Sequence, residues 1–297
     1  MNAEPCRHAA SDILGTDATR IMELEQSGPD IFRTCFVEQR AGDHLFGGQI
    51  VAQALAAANR TVEGRVCHSM HAYFLRAGVA SRPVTLTVER IRDGARFSTR
   101  RIVATQNDRA IFDMECSFHA GGAGPQHQVA QLPDVPPPEA LPNLVSLETL
   151  GEGMAGEVAI ARRFPLLELR LVDHERFEQP DPSGRRQIWI RMPTAANSDD
   201  PAVHQQLLAY LSDFMFSGVV KLPHPIAFRL PRFAATSLDH AIWFHRAHRC
   251  EEWLLYDCDS HHAADGRAMA RGLLLDRAGR LVATVMQEAL FRALQDR

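Results

Sequence analysis

The chain has 297 residues, room for about two domains, with 45% hydrophobic and 23% charged residues. A net charge of -4 offers no basic field for nucleic acid, and no apolar run is long enough to span a membrane. The cysteines (Cys6, Cys35, Cys67, Cys116, Cys250, Cys258) form no C-x-x-C pair and no metal-ligand spacing, so free thiols in a reducing cytoplasm are expected, with no metal and no cofactor. The first ten residues lack the apolar stretch of a secretory signal, and Gln295-Asp296-Arg297 is not a peroxisomal address.

Met1 to Thr19 reads as a loose leader. A strand is expected over Ile31 to Phe36, and then Phe46-Gly47-Gly48 opens a small-residue helix through Ala58. Glycines at a helix start allow close approach and leave N–H groups for a ligand or for packing. That helix is apolar or small on almost every face, which predicts burial all round, with a sheet wrapped about it. Val84 to Val88, Phe97 to Thr105 and Ala110 to His119 read as strands joined at Asp93-Gly94 and Asn107-Asp108, an antiparallel meander. Gly121 to about Gly156, with Pro133 and Pro136-Pro137-Pro138, is expected to be a linker that ends in a short helix.

Strand patterns resume at Leu166 to Val172 and Gln187 to Arg191. A helix is expected from Pro201 through Phe216, with Asp199 and Asp200 before its first turn. Ser237 to Arg246, Trp253 to Asp257, Arg267 to Leu275 and Leu281 to Phe291 then read as strands. The second half repeats the first. Arg96, Arg100 and Arg109 match Arg267, Arg271 and Arg280 at a constant offset of 171, and Arg76 matches Arg246 at 170. The spacing predicts two copies of one fold, each a helix embraced by an antiparallel sheet.

Several segments together resemble the acyl-CoA thioesterase II family. They are Phe46-Gly47-Gly48-Gln49-Ile50-Val51-Ala52-Gln53-Ala54-Leu55, His68 to Arg76, Asp93 to Arg101, Leu238 to Arg246, Trp253 to Tyr256 and Gln287-Glu288. The resemblance covers about Arg33 to Ala120 and Arg185 to Arg292. It implies an α+β double hotdog: an N-terminal hotdog over 20–120, a Pro/Gly-rich linker over 121–164 and a C-terminal hotdog over 165–297 that carries the catalytic residues. It also implies hydrolysis of acyl-CoA, medium- to long-chain, to fatty acid and CoA by a homodimer or homotetramer. The family's acid, hydroxyl and amide fall on Asp213, Ser237 and Gln287; Thr236, beside Ser237, takes the hydroxyl position if the alignment slips by one.

The residues themselves carry part of this. A thioester is already electrophilic, so a carboxylate, a hydroxyl and an amide that hold one water suffice without a metal or covalent nucleophile. Alternation along Leu281 to Met286 puts Gln287 on a small, apolar, inward face with Ala283, Val285 and Ala289, where a polar group needs partners. The plain alternative is a structural Gln bonded to backbone. Alternation also puts Ser237 and Asp239 on one face and His240 on the other, so these three cannot form a triad. A strand-end hydroxyl and a turn-capping acid are the plain reading of that pair. Asp213 lies nearly opposite the Leu207, Leu211 and Phe214 stripe, which by itself suggests a solvated helix face. Cys116 falls where the repeat would need a second Gln, so the N-terminal copy is expected to lack a site. Arg76, Arg100, Arg246 and Arg271 are candidate phosphate partners. Two other functions fit such a fold: an enoyl-thioester hydratase or dehydratase, which wants a His–Asp pair, and a non-catalytic acyl-CoA binder.

Overall fold

The computed structural model describes residues 17–35, 44–146, 166–176, 179–229 and 233–293. Most of the expected leader and the expected short helix at the end of the linker lie outside the described residues. The strand expected over Ile31 to Phe36 is seen as β2 (Ile31–Thr34), paired with a β1 (Leu24–Gly28) that alternation did not reveal. After it come helix α1 (Gly47–Asn59) and strands β3 (Val66–Phe74), β4 (Thr85–Asp93), β5 (Phe97–Gln106) and β6 (Arg109–His119). The second half holds β7 (Glu168–Leu171), β8 (Arg185–Arg191), α2 (Pro201–Ser212), a short α3 (Ile226–Arg229), β9 (Phe233–Ser237) and β10 (Asp239–Phe244). It closes with β11 (Leu254–Ala264), β12 (Arg267–Asp276) and β13 (Leu281–Ala293).

The 13 strands of the described residues form one sheet, in the order β1-β2-β4-β5-β6-β3-β10-β13-β12-β11-β8-β7, with β9 also on β13. Read from either end, the order is the same if each strand is exchanged for its repeat partner. The halves join where β3 pairs β10 antiparallel, and His71 faces Ala241 there. Those two residues are 170 apart, the same offset as Arg76 and Arg246, so the pseudo-two-fold axis passes through their pair. The connection resembles a closed two-fold dimer interface written into one chain.

The hairpins follow their turn residues. Asn107 and Asp108 have φ of 49° and 58°, and Asp265 and Gly266 have φ of 51° and 73°, the left-handed pairs that suit two-residue hairpins. Both helices lie against the inner face of the sheet and against each other. Every residue of α1 from Gly48 to Ala58 is buried, as its composition predicts. Gly48 is needed there: a Cβ on it would stand 2.5 Å from the Tyr210 carbonyl oxygen of α2.

Two expectations need correction. The second helix ends at Ser212, not Phe216, because Met215 turns left-handed at φ 59° and the chain continues as a 3-10 turn over Phe216–Lys221. The repeat arithmetic is also one residue out on β12. Arg100 faces Cys116 across β5–β6, whereas Ala270, not Arg271, faces Gln287 across β12–β13. A one-residue slip changes the face. Arg100 is therefore 1% exposed, while Arg271 lies on the outer face, paired with Asp259.

The segment after β6 runs across the outer face of the C-terminal half of the sheet. Gln128 bonds Gly279 O and Leu281 N, and Trp189 Nε1 donates to Pro136 O at 2.9 Å. Leu132, Val135 and Leu141 pack there on Trp189, Trp253 and Leu255 as a second, smaller apolar cluster.

Candidate active site

Gln287 lies on β13 with no exposed surface, among Ala283, Val285 and Ala289 as the alternation requires. Its amide is engaged on both ends. Nε2 contacts Ser237 Oγ closely, and Oε1 lies 2.8 Å from His240 Nδ1. The other ring nitrogen of His240 is 2.9 Å from Ser212 Oγ. Burial holds His240 neutral, with its pKa pushed down to about 4 against the opposing effect of the Gln287 bond.

The placement of His240 overturns the expectation from alternation. Ser237 faces Ala289 across β9–β13, but Ala241 faces Met286 across β10–β13. One extra residue, Leu238, is accommodated between the two ladders, a bulge that reverses the sides of everything after it. Ser237 and His240 consequently both reach Gln287, while Asp239 turns away from it. Asp239 Oδ1 accepts the Glu288 N–H at 2.6 Å and so occupies a backbone donor beside the bulge. Burial, more than anything else, pushes the Asp239 carboxyl up. Thr236, the alternative hydroxyl, is exposed.

Asp213 is the C-cap residue of α2 and only 8% exposed, so the solvated-face reading does not hold. Its carboxylate lies against the start of α1: a Cβ on Gly47 would stand 2.5 Å from Asp213 Oδ2 and 3.1 Å from the Phe74 ring. Phe46, the N-cap of α1, offers no side-chain cap. The positive end of the α1 dipole thus meets a carboxylate donated by the other half of the chain. Ser212, one residue before Asp213, is fixed twice. Tyr256 Oη donates to its carbonyl at 2.6 Å, and its hydroxyl meets His240. The chain of contacts therefore runs Ser237–Gln287–His240–Ser212, with Asp213 adjacent in sequence. The Phe74 N–H also donates to Leu238 O at 2.9 Å, and the Phe74 ring lies beside Gly47 at the start of α1.

In the N-terminal half the equivalent pair is Met70 and Cys116, facing each other on β3–β6. Both are buried, and burial pushes the Cys116 thiol well above its ordinary range. Among the phosphate candidates, Arg100 is taken by Thr61, Asp93 and Arg92 O, and Arg76 donates to Ala110 O. Arg246 is exposed. Among the described residues, no group of three or more His, Cys, Asp or Glu could hold a metal, and no helix is long and apolar enough to cross a membrane.

A single antiparallel sheet built from two helix-on-sheet units related by a pseudo-two-fold axis defines a double hotdog. A hot-dog-fold protein from Alicyclobacillus acidocaldarius matches it with a TM-score of 0.73 over 94% of this chain and all of that one, at 19% identity. Family profiles described as the acyl-CoA thioesterase N-terminal and C-terminal domains match residues 38–119 and 130–291. Acyl-coenzyme A thioesterase 8 of Rattus norvegicus is 35% identical over 96% of this chain and 91% of its own length. The crystal structure of an acyl-CoA thioesterase II from Mycobacterium marinum is 37% identical, with a TM-score of 0.77 over 93% of this chain and 98% of that one. The chain belongs to the acyl-CoA thioesterase II family, and it is an acyl-CoA thioester hydrolase.

Proposed function

We propose that the chain hydrolyses medium- to long-chain acyl-CoA by activating a water held between Asp213, Ser237 and Gln287. The water donates a proton to the Asp213 carboxylate and accepts hydrogen bonds from the Gln287 amide N–H and the Ser237 hydroxyl. Its oxygen attacks the thioester carbonyl carbon, and the tetrahedral oxyanion collapses. The C–S bond then breaks, and the CoA thiolate leaves and takes up the proton. The observation that carries this reading is the amide of Gln287, wholly buried on an apolar face and bonded to Ser237. The start of α1 supports it, since first-turn amides stabilise a carboxylate placed against them. Hydratase chemistry has less support. It wants a His available for proton transfer, and both nitrogens of His240 are already engaged.

The division into an N-terminal hotdog over 20–120, a linker over 121–164 and a catalytic C-terminal hotdog over 165–297 belongs to the same proposal. So do a cytoplasmic location and a homodimer or homotetramer. The buried free thiols at Cys35, Cys67, Cys116, Cys250 and Cys258 suit a reducing compartment.

The test is steady-state hydrolysis of acyl-CoAs of graded length, followed by release of the CoA thiol. Asp213→Asn and Gln287→Ala should each lower kcat roughly 10²-fold or more with the fold intact. Ser237→Ala should lower it less, since a water can replace one donor. Undiminished turnover in Asp213→Asn and Gln287→Ala would sink the trio.

A further inference from the structure

We propose that His240 is a positioning residue that fixes which way the Gln287 amide points, and so aims two donors at the reacting water. This rests on the trio reading given above. Gln287 Oε1 can only accept, so the nitrogen 2.8 Å away, His240 Nδ1, carries a proton. A neutral ring then has a bare Nε2, which accepts from Ser212 Oγ at 2.9 Å. Ser212 Oγ also donates to Ala209 O at 2.8 Å, so in this arrangement its one proton makes a three-centre bond to the carbonyl and to Nε2. The hydrogen bonds thus run one way: Ser212 to His240, His240 to Gln287, Gln287 to Ser237.

That direction has a chemical consequence. With Oε1 held by His240, the amide nitrogen faces Ser237 Oγ. Ser237 accepts one amide proton, which leaves its own hydroxyl proton and the second amide proton for the water. In the reversed arrangement His240 would carry its proton on Nε2, and Gln287 would turn its nitrogen to the ring. Ser237 would then spend its only proton on the amide oxygen, and the water would lose both donors. The His240 ring itself is fixed in place, so its tautomer alone sets the sense. It has no exposed surface, both nitrogens are bonded, and the Phe216 ring meets it edge-on at 6.1 Å between centroids. The N-terminal half has Met70 and Cys116 at the corresponding places, neither of which could orient an amide.

The experiment compares kcat and KM for acyl-CoA hydrolysis in wild type, His240→Asn, His240→Leu, Gln287→Ala and the His240→Leu/Gln287→Ala double variant, with folding checked by circular dichroism. The nitrogen-bound protons of His240 are assigned by ¹⁵N NMR in the wild type. Asn places an amide N–H near the position of Nδ1, so His240→Asn should keep kcat within about 10-fold. His240→Leu should lose roughly 10²-fold in kcat with KM nearly unchanged, and the double variant should be no worse than Gln287→Ala alone. The spectrum should show the Nδ1–H tautomer. An Nε2–H tautomer overturns the proposal whether or not the Leu variant folds, and so does equal loss in folded Asn and Leu variants. A fully active His240→Leu beside an inactive Gln287→Ala overturns the positioning role alone, whereas an active Gln287→Ala overturns the trio itself.

Discussion

At the scale of single residues, His240 ties stability to the site. Its folded-state pKa of about 4 lies below the ordinary imidazole value of 6.5, because burial disfavours the charged ring. Above pH 6.5 the ring is neutral in both folded and unfolded chains, and no stability is lost. As pH falls from 6.5 towards 4 the unfolded chain binds a proton that the folded one refuses, so stability drops, by on the order of 3 kcal/mol once pH 4 is passed. His68, His245 and His248 are also pushed down by burial and add to the acid sensitivity. They are common to wild type and His240→Asn. The difference in urea midpoint between the two should therefore shrink between pH 7 and pH 4.5, and a gap that stays constant would contradict the buried neutral imidazole. The same residue marks where sequence reasoning stopped. Alternation along β13 located Gln287 on an inward apolar face, which is where it lies. Alternation across Leu238 sent His240 to the wrong side, because the bulge there is set by the registers of β13 and β3, which the local pattern does not contain.

At the scale of elements, the two glycines that open α1 do different work, and substitution separates them. Gly48 faces backbone: an added Cβ would meet the Tyr210 carbonyl oxygen at 2.5 Å. Backbone cannot rotate aside, so Gly48→Ala should push α1 and α2 apart and cost about 1–3 kcal/mol, read as a lower Tm. Gly47 faces the end of a side chain, Asp213 Oδ2, which can swing away. Gly47→Ala should cost less stability but lower kcat by more than about 10-fold, since it would displace the proposed base, Asp213, from its geometry. Full kcat in Gly47→Ala would mean that the position of the Asp213 carboxylate at this helix start is immaterial. The glycine pair and the buried helix behind it were legible from composition alone. The helix wheel, by contrast, put Asp213 opposite the apolar stripe and so on a solvated face, but α2 is buried on both sides: Gln206 and Ala209, on the Asp213 side, are buried as well. Asp213 caps the helix instead, and the left-handed Met215 sends the chain back towards the sheet. A single non-glycine residue with positive φ leaves no mark in hydrophobic periodicity.

At the scale of the whole molecule, the repeat was legible as arithmetic, and its asymmetry is what the proposed site needs. The first half supplies the helix start and Phe74; the second supplies Asp213, Ser237 and Gln287. The pairing β3–β10 and the packing of α1 on α2 hold the two together, so neither half carries the arrangement alone. The chain between them adds to this by lying on the outer face of the second half, where Gln128, Pro136 and Leu141 are bonded to it. Gly121 to Gly124, ahead of that contact, are exposed and outside any strand, a place where a cut removes no buried contact. Expressed separately as residues 1–122 and 123–297, each half should be inactive. The second half would lose the α1 dipole against Asp213 and would expose the edge of β10. Mixed or co-expressed, the halves should elute together on size exclusion and recover hydrolysis, because the same strands and helices meet without the covalent link. Activity in the second half alone would mean that the helix start is dispensable. Recovery of the complex without activity would mean that the link itself sets the alignment of the halves.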